Sequence, residues 1–190
     1  MGRKLATLLL GVALAAPVSA GQLEGVNMPD TTTVGGATLV LNGMGLRAKK
    51  ITFLKIKVYV AGLYLPAKSM DPNAIMNTDE PRQLVMEFLY KQVSRDQLVE
   101  AWMEGFNANS PDAVDSIKAQ IDKFIAMWPA MRSGDRAVLT YVPGAGTTIE
   151  IRGENKGTIP GADFASAMFG IWLGANPPSA ELKDGLLGNH

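Results

Sequence analysis

The chain has 190 residues, with 18 basic and 18 acidic residues, one histidine and no cysteine. The lack of cysteine excludes a disulfide framework and thiolate metal sites, and the balanced charge argues against a nucleic-acid partner. The single histidine, His190, is the last of the 190 residues, so Ser-His and Cys-His nucleophile pairs and histidine-dependent zinc or haem sites are not expected.

The first twenty residues have the three parts of a secretory signal. Arg3 and Lys4 supply a positive start, residues 5–16 form an uncharged run rich in Leu and Ala, and a small-x-small end closes at Ala20. The apolar run is shorter than the roughly 20 residues of a membrane span, so we expect a cleaved signal rather than an anchor. The remaining domain, residues 21–190, has 16 basic and 18 acidic residues. We expect it in the periplasm, without a membrane span.

The first half of this domain predicts strands. Residues 37–41 form a short apolar run that ends at Gly-Met-Gly, residues 43–45. We interpret these glycines as a turn rather than a nucleotide loop, because no third glycine and no helix start follow them. A longer strand is predicted for residues 55–65, ended by Pro66, and a further strand for residues 83–90.

The alternation within residues 55–65 assigns side chains to two faces of the predicted strand. Ile56, Val58 and Val60 are expected on one face. Tyr59 is expected on the other face, together with the lysines of the same run.

The middle of the chain predicts helices. Ser94, with Gln97 three residues later, is a capping box that opens one helix. Ser110, followed by Pro111 at the first helical position, is expected to cap a second helix that runs to Trp128. The apolar stripe of that helix could line a ligand groove, but a helix packed on a sheet is the interpretation we favour.

The last part predicts a hairpin and two helices. Residues 137–142 and 147–151 flank a Pro-Gly-Ala-Gly turn, and a second turn at 153–157 leads into a short strand. Residues 162–173 predict a helix ended by glycine, and residues 177–179 open a last short helix. This order of elements predicts an α+β domain with a largely antiparallel sheet.

One polar pair in the first predicted sheet is a candidate site. Arg47 follows the Gly-x-Gly sequence, and Tyr59 lies twelve residues later within an otherwise apolar strand. Both residues also have a purely structural interpretation. Arg47 would then be a solvated edge residue, and Tyr59 a core residue with its hydroxyl at the rim.

Two segments carry a resemblance to a known family. Residues 41–47 read Leu-Asn-Gly-Met-Gly-Leu-Arg, and residues 57–65 read Lys-Val-Tyr-Val-Ala-Gly-Leu-Tyr-Leu. They resemble the signature of the chalcone isomerase-like family, in particular its bacterial exported branch, in which a Gly-x-Gly-x-Arg turn precedes a strand ending in Gly-(Val/Leu)-Tyr-Leu. The resemblance implies an open-faced β-sandwich, with helices packed on a large antiparallel sheet and a cleft between them.

The family contains two functional types. Plant chalcone isomerases close a flavanone ring with an Arg, a Thr on the second strand and a downstream Tyr, Lys and Asn. Non-catalytic relatives bind fatty acids with the same Arg and a Tyr in place of that Thr. By position, Arg47 matches the shared Arg and Tyr59 stands where the isomerases have Thr. Val93, Asp96 and Glu100 then stand at the downstream Tyr, Lys and Asn.

Elementary chemistry agrees with this resemblance. Ring closure needs groups that stabilise developing negative charge, and Val93 supplies none. An Arg fork beside a Tyr hydroxyl instead suits a carboxylate, since Arg47 donates two parallel hydrogen bonds and Tyr59 adds a third. We therefore expect an exported protein that binds a fatty acid or similar apolar carboxylate through Arg47 and Tyr59, with no catalytic residue, metal or cofactor.

Two other hypotheses remain open at this point. The chain could be an isomerase or lyase of the chalcone isomerase type that acts on a flavonoid-like or other apolar substrate, with Arg47 and Tyr59 as electrophilic groups. It could also be a structural or envelope-assembly protein whose cleft is filled by its own core. A closed, filled cleft would favour the last hypothesis.

Overall fold

The structure is a computed structural model that describes residues 20–189. Residues 1–19, which are all but the last residue of the predicted signal, and His190 lie outside the described residues. Cleavage of the signal after Ala20 therefore stays a prediction. The strands are, in chain order, β1 (Ala20–Leu23), β2 (Val26–Pro29), β3 (Thr31–Val34), β4 (Ala37–Ile51), β5 (Leu54–Leu65), β6 (Arg82–Phe88), β7 (Gln92–Val93), β8 (Met131–Arg132), β9 (Arg136–Val142), β10 (Gly146–Ile151) and β11 (Glu154–Ile159). The helices are α1 (Pro72–Asn77), α2 (Arg95–Asn109), α3 (Pro111–Val114), α4 (Lys118–Ala126), α5 (Ala162–Leu173) and α6 (Ala180–Leu186).

Seven strands form the main sheet, in the order β11-β10-β9-β6-β5-β4-β3. Every neighbouring pair in it is antiparallel. Strands β1 and β2 form a separate ribbon, and the short β7 and β8 form another. The predicted α+β class with a large antiparallel sheet and helices packed on it is confirmed.

The sheet has a packed core on each face. Along β6, Leu84 and Met86 belong to the larger core beneath the helices, whereas Val85 belongs to a smaller core on the opposite face, as strand alternation requires. The β1–β2 ribbon contributes Val26 and Met28 to the smaller core. The central strands are therefore buried on both faces.

Several local signals predicted the helices correctly. Ser94 and Gln97 form both bonds of the capping box at the start of α2. Helix α5 spans the predicted residues, and the Ser179 hydroxyl accepts a hydrogen bond from the backbone N–H of Leu182 at the start of α6.

No helix within residues 20–189 is long and apolar enough to cross a membrane.

The single helix predicted from Ser110 to Trp128 is wrong, because the structure has two helices there. Helix α3 ends at Val114 and α4 begins at Lys118. Asp and Ser, both weak helix formers, occupy the break, where the Ser116 hydroxyl donates 2.8 Å to the carbonyl of Ala113. Ser110 ends α2 through its own backbone N–H, and its side chain makes no capping bond to α3.

The strands show further differences from the predictions. Strands β1 to β3 lie where no element was predicted. Strand β11 begins at Glu154, because the preceding turn needs only two residues, Arg152 and Gly153, both with positive φ. The predicted longer turn over residues 153–157 is therefore wrong.

The Gly-x-Gly sequence is not a turn but lies inside β4, which continues to Ile51. Its glycines are required because helix α6 lies directly on the strand. A Cβ atom at Gly43 would collide with the carbonyl oxygen of Gly185, and one at Gly45 with that of Leu182. The sequence motif therefore marks the close approach of a helix to a strand.

Asn42, beside these glycines, fastens α6 to the sheet. The register of β4 and β5 shifts between Leu41 and Gly43, so Asn42 is the extra residue of a bulge. Its buried side-chain amide donates to the carbonyls of Leu186 (2.8 Å) and Ser69 (2.9 Å), and its oxygen accepts the Ser69 N–H (2.8 Å). One side chain thus satisfies three backbone groups from two other segments.

Candidate functional site

A cleft of about 520 Å³ opens between the β4–β5 hairpin, helix α2 and residues 176–178. Its lining contains both predicted site residues, Arg47 and Tyr59. Six of the apolar side chains in its wall are Ile51, Ile56, Val58, Val93, Leu98 and Trp102. The cleft is therefore apolar along much of its length and has an Arg and a Tyr together on one wall.

Strand pairing brings Arg47 and Tyr59 together, since they are direct partners in the β4–β5 register. The next pair is Ala48 with Lys57, so Val58 is an extra residue on β5. This bulge places Val58 and Tyr59 both at the cleft. The predicted face assignment is therefore wrong: regular alternation is broken at Val58, and Tyr59 does not share a face with the lysines.

After the bulge, the side chains of β5 alternate again between the two faces of the sheet, but with the two faces exchanged. Tyr59 belongs to the core under the helices, while Val60 belongs to the core on the other face. Ile56, which precedes the bulge in the chain, lines the cleft. Ile56 and Val60, which were predicted to share a face, are therefore on opposite sides of the sheet.

Tyr59 is almost fully buried, and its ring packs against Phe88 with centroids 5.4 Å apart. Its hydroxyl oxygen accepts a hydrogen bond of 3.0 Å from the indole N–H of Trp172. Burial raises the pKa of Tyr59 to about 12, although the Trp172 bond and the charge of Arg47 act in the opposite direction. The phenol is therefore protonated at neutral pH and keeps its own proton to donate.

Arg47, the cross-strand partner of this tyrosine, is half-buried. One guanidinium nitrogen donates to the carbonyl of Ala48 at 2.9 Å. Among residues 20–189, no carboxylate lies within 4.0 Å of the guanidinium group. Since Arg has five N–H donors, most of them remain for a ligand.

The charges of the cleft are divided between its walls. Lys49 joins Arg47 on the strand side, whereas Glu100 and Glu104 line the cleft from α2. An anionic group entering the cleft is attracted to the strand wall and repelled by the helix wall. This arrangement favours an orientation in which a ligand anion meets Arg47 and Tyr59.

The three downstream positions of the resemblance are only partly brought to the site. Val93 and Glu100 line the cleft. Asp96 is exposed in the first turn of α2 and does not line it. The cleft therefore contains an apolar side chain and a carboxylate at two of the three positions that the resemblance matches to a Tyr, a Lys and an Asn.

Three aromatic residues of the site were missed by the sequence analysis: Tyr90, Trp102 and Trp172. Tyr90 and Trp102 line the cleft. The Trp102 indole N–H is buried and has no hydrogen-bond partner among the described residues. Tyr90 ends a predicted strand, which was a usable signal, but the tryptophans lie on helices where an apolar stripe indicates only packing.

The described residues contain no group of His, Cys, Asp and Glu side chains arranged to hold a metal ion. Within the cleft, the charged groups are two cations and two carboxylates on opposite walls. The side chains of the cleft thus supply hydrogen-bond donors on the strand wall, carboxylates on the helix wall, and apolar contacts.

Comparisons with known proteins agree with this architecture. The family model described as chalcone isomerase-like matches residues 20–188. No curated protein matches the chain. Among solved structures, the crystal structure of a fatty-acid binding protein from Arabidopsis thaliana superposes with a TM-score of 0.72 at 16% sequence identity, covering 90% of this chain and 97% of the other. At that identity, the likeness shows the fold.

Proposed function

The chain belongs to the chalcone isomerase-like family, and from this premise and the cleft geometry we propose that it binds a fatty acid or similar apolar carboxylate without transforming it. The carboxylate would meet Arg47 and Tyr59. The acyl chain would lie along the apolar part of the cleft. We also propose that the chain belongs to the exported, bacterial branch of the family.

The observation that carries the proposal is the Arg47–Tyr59 pair on one wall of an open apolar cleft. The guanidinium of Arg47 has no carboxylate partner among residues 20–189. Tyr59 is a neutral donor held in place by Trp172. Charge-assisted hydrogen bonds of this kind are shorter and about twice as strong as neutral ones.

The size and lining of the cleft support an apolar ligand. A volume of about 520 Å³ lies within the roughly 300–1,000 Å³ of sites for small organic ligands. Each methylene removed from water contributes about 0.8 kcal/mol, so a long chain binds more tightly than a short one until the cleft is full. The fatty-acid binding protein from Arabidopsis thaliana that shares the fold is a further reason to choose a fatty acid as the first ligand to test.

A comparison of head groups tests this proposal from the ligand side. Delipidated protein is titrated with a long-chain fatty acid, the alcohol of equal chain length and the methyl ester. We expect the acid to bind about ten- to a hundredfold more tightly, because hydrogen bonds to a charged group contribute about 1.5–3 kcal/mol. Equal affinities for acid and alcohol would show that the head group is not recognised.

We expect no chalcone isomerisation by the wild-type protein, because Val93 lines the cleft at the position that resembles the catalytic Tyr. Flavanone formation is followed by absorbance under conditions in which a plant chalcone isomerase is active. Enantioselective product above the buffer rate would contradict the non-catalytic proposal and favour an isomerase.

We also propose that the protein acts in the periplasm, after cleavage following Ala20. The support is the charged start, short apolar run and small-x-small end of the first twenty residues. N-terminal sequencing of the protein recovered from the periplasmic fraction should begin at Gly21. An intact Met1 on protein confined to the cytoplasm would contradict it.

A further inference from the structure

The tip of the β4–β5 hairpin exposes an unusual amount of apolar surface. Among residues 20–189, four large apolar side chains are strongly exposed, and three of them are at this tip: Ile51 (47%), Phe53 (88%) and Leu54 (58%). Ile51 and Leu54 are the last paired residues of the two strands, and Phe53 lies in the turn between them. Clustered exposed apolar residues of this kind mark interaction sites.

The same tip is strongly basic. Residues 47–57 contain five basic residues and no acidic residue, although the whole chain has equal numbers of both. Lys50 and Lys55 are direct cross-strand partners, and like charges placed opposite each other destabilise a sheet. The tip therefore concentrates positive charge at some cost to its own stability.

Two of these lysines have carboxylate partners and two do not. Lys55 contacts Glu181 at 2.9 Å, and Lys57 contacts Glu24 at 2.5 Å. Across the part of the chain that the structure describes, no carboxylate comes within 4.0 Å of Lys49 or Lys50. The unpaired lysines are the two in β4, which precede the exposed Ile51.

The backbone of the turn is also costly. Thr52 has a φ of 53°, in the left-handed region that β-branched residues rarely adopt. Its hydroxyl donates to the carbonyl of Ile51 at 2.6 Å, which is local support only. Strain, exposed apolar side chains and unpaired cations thus coincide at one projecting turn, which suggests a binding role.

We propose that this tip docks on the surface of a membrane that contains anionic lipid. Phe53, with Ile51 and Leu54, would enter the boundary between head groups and acyl chains, while Lys49 and Lys50 meet the anionic head groups. An apolar insertion combined with basic residues is the combination that gives stable peripheral binding. Outside residues 47–57 the chain has 13 basic and 18 acidic residues, so the positive charge is concentrated at the tip and selects an anionic surface.

The tip is continuous with the cleft. Lys49, Ile51 and Ile56 line the cleft and belong to the same hairpin end. A docked tip would therefore hold the mouth of the cleft against the lipid, where an apolar carboxylate could pass between membrane and protein. This last step rests on the proposed function, whereas the docking itself does not.

Vesicle co-flotation of the purified protein tests the docking. Phosphatidylcholine vesicles with and without phosphatidylglycerol serve as the two membranes, and no fatty acid is added. We expect the wild-type protein to bind the anionic vesicles. Binding should be about ten- to a hundredfold weaker for Phe53→Ser, because this variant loses the aromatic side chain that would be buried in the lipid. Met70→Ser removes another exposed apolar side chain (64% exposed), remote from the hairpin turn in sequence, and should leave binding unchanged.

The charge contribution is tested with Lys50→Gln. This lysine does not line the cleft, and its loss should weaken binding to the anionic vesicles about fivefold, with no effect on the neutral ones. Lys118→Gln, which removes an exposed lysine on α4, is the matched control. Equal binding by wild type and both tip variants would overturn the proposal.

A second copy of the chain is the alternative occupant. If Phe53→Ser abolished a concentration-dependent dimer in size-exclusion chromatography and wild-type protein did not bind vesicles, the tip would be a dimer interface and the proposal overturned. Measuring the fatty-acid affinity in buffer without vesicles tests the ligand proposal independently of the docking proposal. Phe53→Ser should leave that affinity unchanged, since Phe53 is not part of the cleft wall.

Discussion

The β4–β5 hairpin has two halves that obey different rules. Its inner half, residues 37–46 with 60–65, is mostly buried and packed by α6 on one side of the sheet. Its outer half, residues 47–59, is mostly exposed, strongly basic and forms one wall of the cleft. The Arg47–Tyr59 pair stands at the junction of the two.

The inner half contributes to stability, whereas the outer half contributes to binding. In the inner half, the glycines of the Gly-x-Gly sequence are required by the close approach of the α6 backbone, and Asn42 is required by the backbone groups that it binds. Substitutions there should therefore reduce the stability of the fold. In the outer half, apart from the buried Tyr59, most side chains face solvent or the cleft, so substitutions of these side chains should change binding and leave folding largely intact. Each prediction below tests one side of this division.

Gly45→Ala should have the largest effect on stability. The added Cβ would collide with the backbone carbonyl of Leu182, which cannot move without displacing α6. We expect the free energy of unfolding to fall by about 3 kcal/mol, measured by urea denaturation. Gly170→Ala in α5 is the matched control: its Cβ would meet only ordinary contacts of 3.6 Å or more, so stability should rise by about 0.5–1 kcal/mol.

Asn42→Ala should destabilise the inner half by about 2–3 kcal/mol, because it leaves the buried carbonyl of Leu186 and two partly buried backbone groups of Ser69 without this partner. Hydrogen exchange of the α6 amides should increase with it. Asn107→Ala, at an exposed position of α2, is the control. A loss no larger than that of the control would mean that α6 is held by apolar packing alone.

Tyr59 makes the junction sensitive to high pH. Its pKa is raised from 10.0 to about 12 by burial, so the unfolded chain releases this proton first. The stabilising contribution is complete below pH 10 and is lost as the pH rises towards 12. Between neutral pH and pH 11, the free energy of unfolding of wild type should therefore fall by about 1 kcal/mol more than that of Tyr59→Phe. Urea denaturation at a series of pH values measures the difference. Parallel pH profiles for the two proteins would contradict the raised pKa.

Phe53→Ser should have the smallest effect on folding. The side chain is 88% exposed, so we expect a change of less than about 0.5 kcal/mol in the free energy of unfolding. Thermal melts in the absence of lipid measure it. A large loss would show that the outer half is packed in solution and would remove the contrast between the halves.

The sequence predicted elements whose signals are local. The capping box of Ser94 and Gln97 and the extent of α5 needed only neighbouring residues. The Gly-x-Gly motif was misread because its cause is a helix far along the chain: the bond from Asn42 to Leu186 spans 144 positions. The bulge at Val58 reversed a face assignment that strict alternation could not foresee.

The site was predicted in the same uneven way. The resemblance singled out Arg47 and Tyr59, and the structure makes them cross-strand partners, while their role in ligand binding stays a prediction. Trp172, which orients the Tyr59 hydroxyl, lies 113 positions from it. Nothing in an apolar helix indicates which way an indole N–H points, so this contact needed the tertiary structure.

The central claim is that Arg47 and Tyr59 form a carboxylate receptor at the junction. Calorimetric titration of a long-chain fatty acid into delipidated wild type and variants tests it most directly. We expect Arg47→Ala to lose about ten- to a hundredfold in affinity. Arg47→Lys should recover only part of this loss, since an ammonium cannot make two parallel bonds, and Tyr59→Phe should lose less.

Thermal melts should confirm that each variant is folded, and Lys118→Ala, an exposed lysine of α4, should bind like wild type. We expect the order wild type, Tyr59→Phe, Arg47→Lys, Arg47→Ala from tightest to weakest binding. Equal affinities across the series, or no fatty-acid binding by wild type, would contradict it.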